Sequence, residues 1–462
     1  MVLNLDKYHS RLKKLDLSPS RGLVVRVAGM TVESKGPPVG MGEMCQIRLA
    51  DGRRVPAQVV GFQAQNRLLM PLEGIEGIAP NDVVLAGSAL RGLSVGPSML
   101  GRVLDALGRP IDDHGPLECD STVPLETNCP TPMSRTRIRE PLPFGIRAVD
   151  GLLTIGKGQR IGIFAGSGVG KSTLLGEIAR VSDADVNVLA LVGERGREVR
   201  EFMEESLGPE GLARSVVVVA TSDTSPVQRV RVAFTATAVA EYFRDSGKNV
   251  LFMMDSLTRF AMAQREIGLA AGEPPTTKGY CPSVFSMLPK LTERLGCTDR
   301  GSITGIYTIL VEGDDMNDPV ADQVRSLLDG HVVLSRKLAE QGYYPAIDIL
   351  QSVSRLMNTV AGPQHKRAAQ RFRAIYSTYR DAEDLINIGA LAEGANPKID
   401  LAVQLIDRIR GFLIQPIGQA SDYRTTLEKL DEITRPWEQL TPNEQSGGQM
   451  MPPQVQFEEM GR

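Results

Sequence analysis

The run AGSGVGKST, from Ala165 to Thr173, has the composition of a loop that holds phosphate groups. Three glycines leave the main chain room to turn its N–H groups toward anionic oxygens. The spacing places the Lys171 ammonium on the β- and γ-phosphates of a nucleotide and the Ser172 hydroxyl on Mg²⁺. The candidate nucleotide-binding residues of this run are Gly166, Ser167, Gly168, Val169, Gly170, Lys171, Ser172 and Thr173.

The segments on either side of this run favour a phosphate-binding loop over an ordinary glycine-rich turn. The apolar stretch IGIF precedes it and predicts a strand, while STLLGEIARV overlaps its end and predicts a helix. Ala165 departs from the usual pattern, which has glycine at this position. Because alanine is small and keeps its N–H, we expect the loop to keep its shape if residue 165 does not need a positive φ.

Two acidic residues follow apolar runs and are placed to complete the chemistry. Asp255 ends NVLFMMD and predicts the carboxylate that holds Mg²⁺ beside the phosphates. Glu194 ends VNVLALVGE, where a general base that polarises a water beside the γ-phosphate is expected. Simpler explanations are a helix cap for Asp255 and a surface Glu–Arg pair for Glu194.

Composition disfavours several classes of protein. The 462 residues carry a net charge of −3, which gives no electrostatic reason to expect nucleic acid as a partner. The longest apolar runs are far shorter than the roughly 20 residues that cross a bilayer, and no secretory signal is evident. The five cysteines and four histidines show no metal-binding spacing. We therefore expect a cytoplasmic protein with no metal beyond one carried by the nucleotide.

Sequence patterns divide the chain into five predicted segments. Residues 1–21 predict a helix that packs on its own domain, on a partner helix or on an anionic membrane surface. The apolar face of this helix is formed by Leu5, Tyr8, Leu12 and Leu15. Residues 22–95 contain short β runs separated by turn residues and predict a small β-barrel.

The other three segments predict an α/β fold with a helical extension. Residues 96–363 alternate Val-, Ile- and Leu-rich strands with helices, a pattern typical of a parallel sheet covered on both faces. Residues 364–440 predict a C-terminal helical domain, with apolar residues at helical spacing in IDLAVQLIDRIRGFLIQ. The polar residues 441–462, rich in Pro and Gly, predict a disordered tail.

Longer motifs in the central segment resemble those of a known family. The motifs GERGRE, VEGDDMNDPVADQVRSLLDGHVVLSRKLA and YYPAIDILQSVSRLMN resemble the catalytic subunits of rotary ATP synthases and, more closely, the ATPases of flagellar and type III protein export. The resemblance runs from about residue 22 to about residue 435 and is most specific in the central segment. It implies a RecA-like P-loop domain that binds ATP with Mg²⁺.

The same resemblance implies catalytic and binding roles for four residues. Glu194 activates the attacking water, and Arg195 lies near the phosphates. Tyr344 stacks against adenine, with packing in the core as the simpler alternative. Arg355 enters a neighbouring subunit's site as an arginine finger, with a local salt bridge as its alternative.

The resemblance also implies an assembly and its partners. Because Glu194 and Arg355 occur in one sequence, identical copies can complete one another's sites around a closed ring, which the resemblance makes a homohexamer. The implied partners are a stator-like regulatory protein at the N-terminal helix, a central stalk protein, export chaperones with their substrates, and an export gate. The implied location is peripheral, at the inner face of the cytoplasmic membrane.

Within this family the flagellar branch is favoured, by INIGAL and PKIDLAV near the end of the chain. Three other functions stay open. A rotary ATP synthase subunit would need a distinct companion chain. An RNA-translocating hexameric helicase shares the core, but the barrel segment lacks a basic, aromatic strand face. A regulatory subunit would hold the nucleotide without hydrolysing it.

Overall fold

The computed structural model of the chain describes residues 20–87, 92–311, 315–390, 394 and 396–440. The helix predicted within residues 1–21 lies outside the described residues except at its end, and the tail predicted at residues 441–462 lies outside them entirely. Within the described ranges, no helix is both long and apolar enough to cross a bilayer.

The N-terminal part is a closed barrel with strand order β1-β2-β5-β4-β3-β6. Its strands are β1 (Arg21–Ala28), β2 (Thr31–Lys35), β3 (Met44–Arg48), β4 (Arg54–Gln63), β5 (Asn66–Pro71) and β6 (Val83–Ala86). Alternate side chains fill the interior: in β4, Val55, Ala57 and Val59 are buried. The period-two pattern in the sequence therefore forms the barrel as predicted.

A mostly parallel sheet forms the centre of the described structure, with strand order β17-β16-β10-β15-β13-β11-β12-β8. Its strands are β8 (Arg102–Leu104), β10 (Arg160–Ala165), β11 (Val186–Glu194), β12 (Ser215–Thr221), β13 (Asn249–Asp255), β14 (Gly296–Cys297), β15 (Ser302–Leu310), β16 (Gly330–Leu334) and β17 (Val353–Ser354). The short β14 pairs only with β15. Strands β7 (Gly92–Val95) and β9 (Ser121–Pro124) form a separate two-stranded sheet.

Helices cover both faces of the central sheet. The helices are α1 (Arg147–Leu152), α2 (Lys171–Val181), α3 (Gly196–Glu201), α4 (Gly208–Ala213), α5 (Pro226–Asp245), α6 (Leu257–Ala270), α7 (Pro282–Thr292), α8 (Pro319–Leu327), α9 (Arg336–Glu340), α10 (Met357–Val360), α11 (Pro363–Asn387), α12 (Pro397–Leu413) and α13 (Tyr423–Leu440). One face packs against α5, α6 and α7, and the other against α1, α2 and the C-terminal helices. This is the predicted α/β architecture.

The C-terminal helices α11, α12 and α13 pack on α1 through aromatic and polar contacts. The rings of Phe372 and Phe412 lie 5.3 Å apart between centroids. The Arg147 side chain in α1 donates from Nε to the Phe412 carbonyl oxygen at 2.8 Å. Gln415, which follows α12, donates from Nε2 to the Gly145 carbonyl oxygen at 2.7 Å. The C-terminal helices are thus held to the segment that precedes the phosphate-binding loop.

A buried ion pair between Arg294 and Glu241 joins α5 to the segment after α7. Arg294 donates from Nε and Nη2 to the two Glu241 carboxylate oxygens at 2.9 and 2.6 Å. The Arg294 side chain is only 2% exposed. Removing one member of such a pair leaves a buried charge uncompensated. We expect Arg294→Ala to lower the free energy of unfolding by about 3–5 kcal/mol in urea titrations.

The matched control is Arg424→Ala, which removes an exposed pair with Glu428 on α13. We expect that variant to change the free energy of unfolding by less than about 1 kcal/mol. If both variants lost the same free energy of unfolding, the buried pair would contribute no more to stability than the exposed pair.

Candidate functional site

The phosphate-binding loop connects the end of β10 to the start of α2 and depends on two glycines with positive φ. The φ of Gly168 is 78° and that of Gly170 is 87°. A side chain is strained in this region, so the loop shape requires glycine at both positions. Ala165 is the last residue of β10 and has no positive φ. The departure from the usual pattern therefore does not disturb the loop, since the strand accepts alanine there.

Lys171, the first residue of α2, forms an ion pair with Asp255 at the end of β13. Its Nζ lies 2.5 Å from Asp255 Oδ1, which also accepts a 2.7 Å hydrogen bond from Thr308 Oγ1. Thr308 belongs to β15, the strand between β10 and β13. The carboxyl ends of three adjacent strands thus bring an ammonium, a hydroxyl and a carboxylate together. A helix-cap role does not account for this contact of Asp255 with Lys171.

An extra residue in β11 determines where Glu194 points. Val192 pairs with Ala220 of β12, but Glu194 pairs with Thr221, so Gly193 is left over as a bulge with φ of 68°. A bulge shifts the alternation of side chains between the two faces of a strand.

Simple alternation would put Glu194 on the face of Val192, which packs in the core with α5 and α6. The bulge returns it to the face of Leu191, which packs in the core with α2. Asp255 follows Met253 onto that same face. Gly193 thereby brings the two carboxylates to the same side of the sheet.

The two carboxylates line one cavity of about 200 Å³. Its lining comprises Ser172, Leu191, Glu194, Glu198, Val199, Glu201, Phe202, Glu205, Ser206 and Asp255. Glu194 is only 8% exposed. Burial, together with the negative charge of Asp255, raises the pKa of Glu194 to about 7, although Lys171 and Arg259 act in the opposite direction. This pKa is close to neutral, as is expected for a group that exchanges protons at physiological pH.

Arg259 is a site residue that sequence analysis did not identify. Its Nε lies 3.2 Å from Glu194 Oε1, and its guanidinium also donates to the Gly193 carbonyl oxygen. Arg259 therefore holds both the bulge and the carboxylate that the bulge redirects. Its position was a usable signal, because it lies four residues after Asp255, in the first turn of α6.

A second cavity, of about 310 Å³, lies on the other side of the phosphate-binding loop. Its lining comprises Ile146, Gly168, Val169, Gly170, Thr173, Leu174, Glu177, Leu334, Tyr344, Pro345, Ala346, Gln415, Pro416 and Ile417. Tyr344 is 42% exposed, so it is not a core residue. Sequence analysis did not identify residues 415–417 as part of this lining, because they follow a helix of the C-terminal domain and carry no motif.

Arg195 and Arg355 are not among the residues that line either cavity. The Arg195 side chain is 74% exposed and pairs with Glu198 at 2.9 Å. Arg355 is exposed, and its Nη2 donates to the Arg325 carbonyl oxygen at 3.1 Å. A single copy of the chain thus brings together Lys171, Asp255 and Glu194 but leaves these two arginines facing outward.

The geometry of the bulge predicts a strong effect of Gly193→Ala. The new methyl group would be strained at φ of 68° and would lie 3.3 Å from Arg259 Cδ. We expect the bulge to rearrange and turn Glu194 away from Asp255, so that ATP turnover falls at least about tenfold while nucleotide affinity stays within about threefold. Steady-state hydrolysis and binding of a fluorescent nucleotide measure the two effects.

Gly29→Ala is the matched control. Gly29 has φ of 56° in the turn between β1 and β2, and no atom lies within 4 Å of the added methyl group. It imposes a similar backbone strain in the barrel, so turnover should stay near that of the unaltered protein. A Gly193→Ala variant that turns over ATP equally well would contradict the role of the bulge.

Comparison with known families covers most of the described chain. Residues 145–354 match the nucleotide-binding domain of the ATP synthase alpha/beta family, and residues 24–86 match the β-barrel domain of that family. Residues 361–432 match the T3SS EscN ATPase C-terminal domain. The three matches follow the barrel, the central sheet and the C-terminal helices in order.

Individual relatives are similar over almost their full length. A flagellum-specific ATP synthase of Bacillus subtilis is 54% identical over 89% of this chain and 95% of its own length. A type 3 secretion system ATPase of Xanthomonas euvesicatoria is 51% identical over 89% of this chain and 94% of its own. The assembled ATPase EscN of the enteropathogenic E. coli type III secretion system superimposes with a TM-score of 0.85 at 44% identity, covering 89% of this chain and 100% of EscN. The chain therefore belongs to the ATP synthase alpha/beta family, among the P-loop ATPases of flagellar and type III protein export.

Proposed function

We propose that this ATPase hydrolyses MgATP at sites completed by a neighbouring copy and uses the energy to drive protein export. The observation that carries the catalytic part is the meeting of Lys171, Asp255 and Glu194 at the carboxyl ends of neighbouring strands. An ammonium, a buried carboxylate and a second carboxylate with a near-neutral pKa are what phosphoryl transfer to water requires.

The residues of the first cavity suit Mg²⁺ as well as the nucleotide. Ser172 and Asp255 both line it and supply the hydroxyl and carboxylate oxygens that Mg²⁺ prefers. Bound Mg²⁺ neutralises charge on the phosphate oxygens. In the structure, Asp255 is the anionic partner of Lys171. We infer that the substrate's phosphates replace Asp255 at the Lys171 ammonium, which leaves the carboxylate available to the metal.

Glu194 acts in this proposal as the base for the attacking water. The water oxygen bonds to the γ-phosphorus, the bond from that phosphorus to the bridging oxygen of ADP breaks, and the water proton passes to the Glu194 carboxylate. Arg259 holds this carboxylate through its 3.2 Å ion pair. The backbone N–H groups of residues 166–172 and the Lys171 ammonium hold the transferring phosphoryl group.

The remaining predicted residues act around this centre. Tyr344 stacks on adenine in the second cavity. Arg355, exposed in a single copy, supplies positive charge to the phosphates of the next copy in a homohexameric ring. Arg195 is exposed and pairs with Glu198 in the structure, and in this proposal it turns from Glu198 to the phosphates when substrate binds.

Export of proteins through a flagellar or type III apparatus is the work that hydrolysis drives in this proposal, with the flagellar branch favoured. One solved relative is EscN in complex with its central stalk EscO, which supports a stalk partner for this chain. The further partners are a stator-like protein at residues 1–21, export chaperones with their substrates, and an export gate, which places the ring at the inner face of the cytoplasmic membrane. Copurification with an equal amount of a related chain would indicate a rotary synthase instead.

The base assignment predicts the behaviour of Glu194→Gln. The amide cannot accept the water proton, so turnover should fall at least about 100-fold while ATP binding is kept. Because the pKa of Glu194 is raised to about 7 in the protein without substrate, kcat/KM of the unaltered protein should fall as pH drops through about 7, where this carboxylate is protonated. The residual rate of Glu194→Gln should lack this pH dependence. Similar pH profiles for the two proteins would refute the assignment.

Shared sites predict complementation between two inactive chains. Lys171→Ala removes the phosphate-binding ammonium and Arg355→Ala removes the arginine finger, so each protein alone should be nearly inactive. In a mixed ring, an intact Lys171 site meets an intact Arg355 from its neighbour at some interfaces. Mixing the two variants should therefore recover a fraction of the ATPase rate. If a mixture that demonstrably forms mixed rings stays inactive, the sites are not shared in this way.

A further inference from the structure

The last turn of α12 and the residues just after it contact the loop that carries Tyr343 and Tyr344. The backbone N–H of Gln415 donates to the Tyr344 carbonyl oxygen at 2.9 Å. Gln415 is buried, and its Oε1 accepts a 2.9 Å hydrogen bond from the Arg147 backbone N–H. The backbone of Tyr344 is therefore held by the segment that follows the helix α12, although Tyr344 itself lies between the strands β16 and β17 of the central sheet.

Arg410, in the same last turn of α12, holds the residue that precedes Tyr344. Its guanidinium lies 5.9 Å from the ring centroid of Tyr343 and 5.4 Å from that of Tyr379 on α11. Its Nη2 also donates to the Tyr379 hydroxyl at 3.3 Å. Glu383 lies 3.9 Å away, so the charge is not fully neutralised by a close ion pair. Arg410 thus forms cation–π contacts with one tyrosine from each side of the domain boundary.

The position of Tyr343 affects the ring of Tyr344 through one peptide bond. The Tyr343 backbone N–H donates to the Leu338 carbonyl oxygen at the end of α9, at 2.9 Å. Gly342, just before it, has φ of 75°, so the turn into this loop requires a residue that tolerates the left-handed region. The Tyr344 ring lies beside Gly170, where an added β-carbon would be 3.5 Å from it. A small rotation of the loop therefore moves the ring relative to the phosphate-binding loop.

We propose that Arg410 is a positioning residue for the purine of the substrate, acting through Tyr343 and Tyr344. The proposal rests on the role proposed above for Tyr344. In this proposal the position of α12 affects nucleotide affinity, because Arg410 lies in that helix and Gln415 follows its end. The phosphate-binding residues are not involved in this coupling.

The test compares Arg410→Met with Arg408→Met. Methionine keeps an apolar stem but removes the cation. Arg408 lies on the same helix and pairs with Glu432 at 2.8 Å, away from the tyrosines. We expect Arg410→Met to raise KM for ATP about three- to tenfold, the equivalent of one lost cation–π contact, with kcat within about twofold. Arg408→Met should leave both constants near those of the unaltered protein.

Inhibition by tripolyphosphate distinguishes a role in positioning the purine from general damage to the nucleotide site. It occupies the phosphate positions as a competitive inhibitor and has no purine for Tyr344 to contact. We expect its inhibition constant to be the same for Arg410→Met and the unaltered protein, whereas a distorted phosphate-binding loop would weaken it. Arg410→Lys, which keeps a cation, should give a KM between those of the two proteins.

Two results for Arg410→Met contradict the proposal, and Tyr344→Ala shows which part of it fails. An unchanged KM in Arg410→Met, or a KM change matched by an equal change in tripolyphosphate inhibition, overturns the proposal. Tyr344→Ala separates this failure from failure of the purine site itself. If Tyr344→Ala raises KM and Arg410→Met does not, Tyr344 binds the purine without help from Arg410. If neither variant raises KM, the role proposed for Tyr344 is wrong as well.

Discussion

The site depends on holding two carboxylates and one ammonium together in a largely buried cavity. Burial, together with the negative charge of Asp255, raises the pKa of Glu194 to about 7. Lys171 pairs with Asp255 at 2.5 Å, while Arg259 pairs with Glu194 at 3.2 Å. The result is one carboxylate suited to bind a cation and another suited to accept a proton.

The parallel sheet supplies the geometry for this arrangement. The phosphate-binding loop follows β10, while Asp255 and Glu194 are the last residues of β13 and β11. The carboxyl ends of these parallel strands lie at the same edge of the sheet. The same face of the sheet carries α2 and the C-terminal helices, so the candidate nucleotide site lies beside the junction of the central and C-terminal domains. That junction is polar as well as apolar. The buried Asp150 accepts from the backbone N–H groups of Phe144 and Gly145 at 2.9 and 2.8 Å, and its pKa is raised to about 7 because it is buried.

Much of the architecture was predictable because it depends on local periodicity. Period-two alternation gave the barrel strands, and continuous apolar runs gave the central strands, since a strand buried on both faces needs no polar side. Helical spacing gave α12, whose buried residues Ala402, Leu405 and Ile409 lie on one face. The loop was expected to tolerate Ala165 if that residue does not need a positive φ. Ala165 ends the strand β10, where a positive φ is not needed.

The sequence by itself determined the kind of chemistry: a glycine-rich loop, Lys171 and Ser172 at fixed spacing, and acidic residues at strand ends. Those features are set by neighbours along the chain. Only the tertiary structure decided which groups meet. The bulge at Gly193 appears only when β11 is aligned with β12. Arg259 contacts Glu194 from α6, and Arg410 of α12 and Gln415 just after it contact Tyr343 and Tyr344. No local pattern encodes this packing. The physical reason is that direction and contact depend on strand register and helix packing, which are set by the whole core rather than by any short segment.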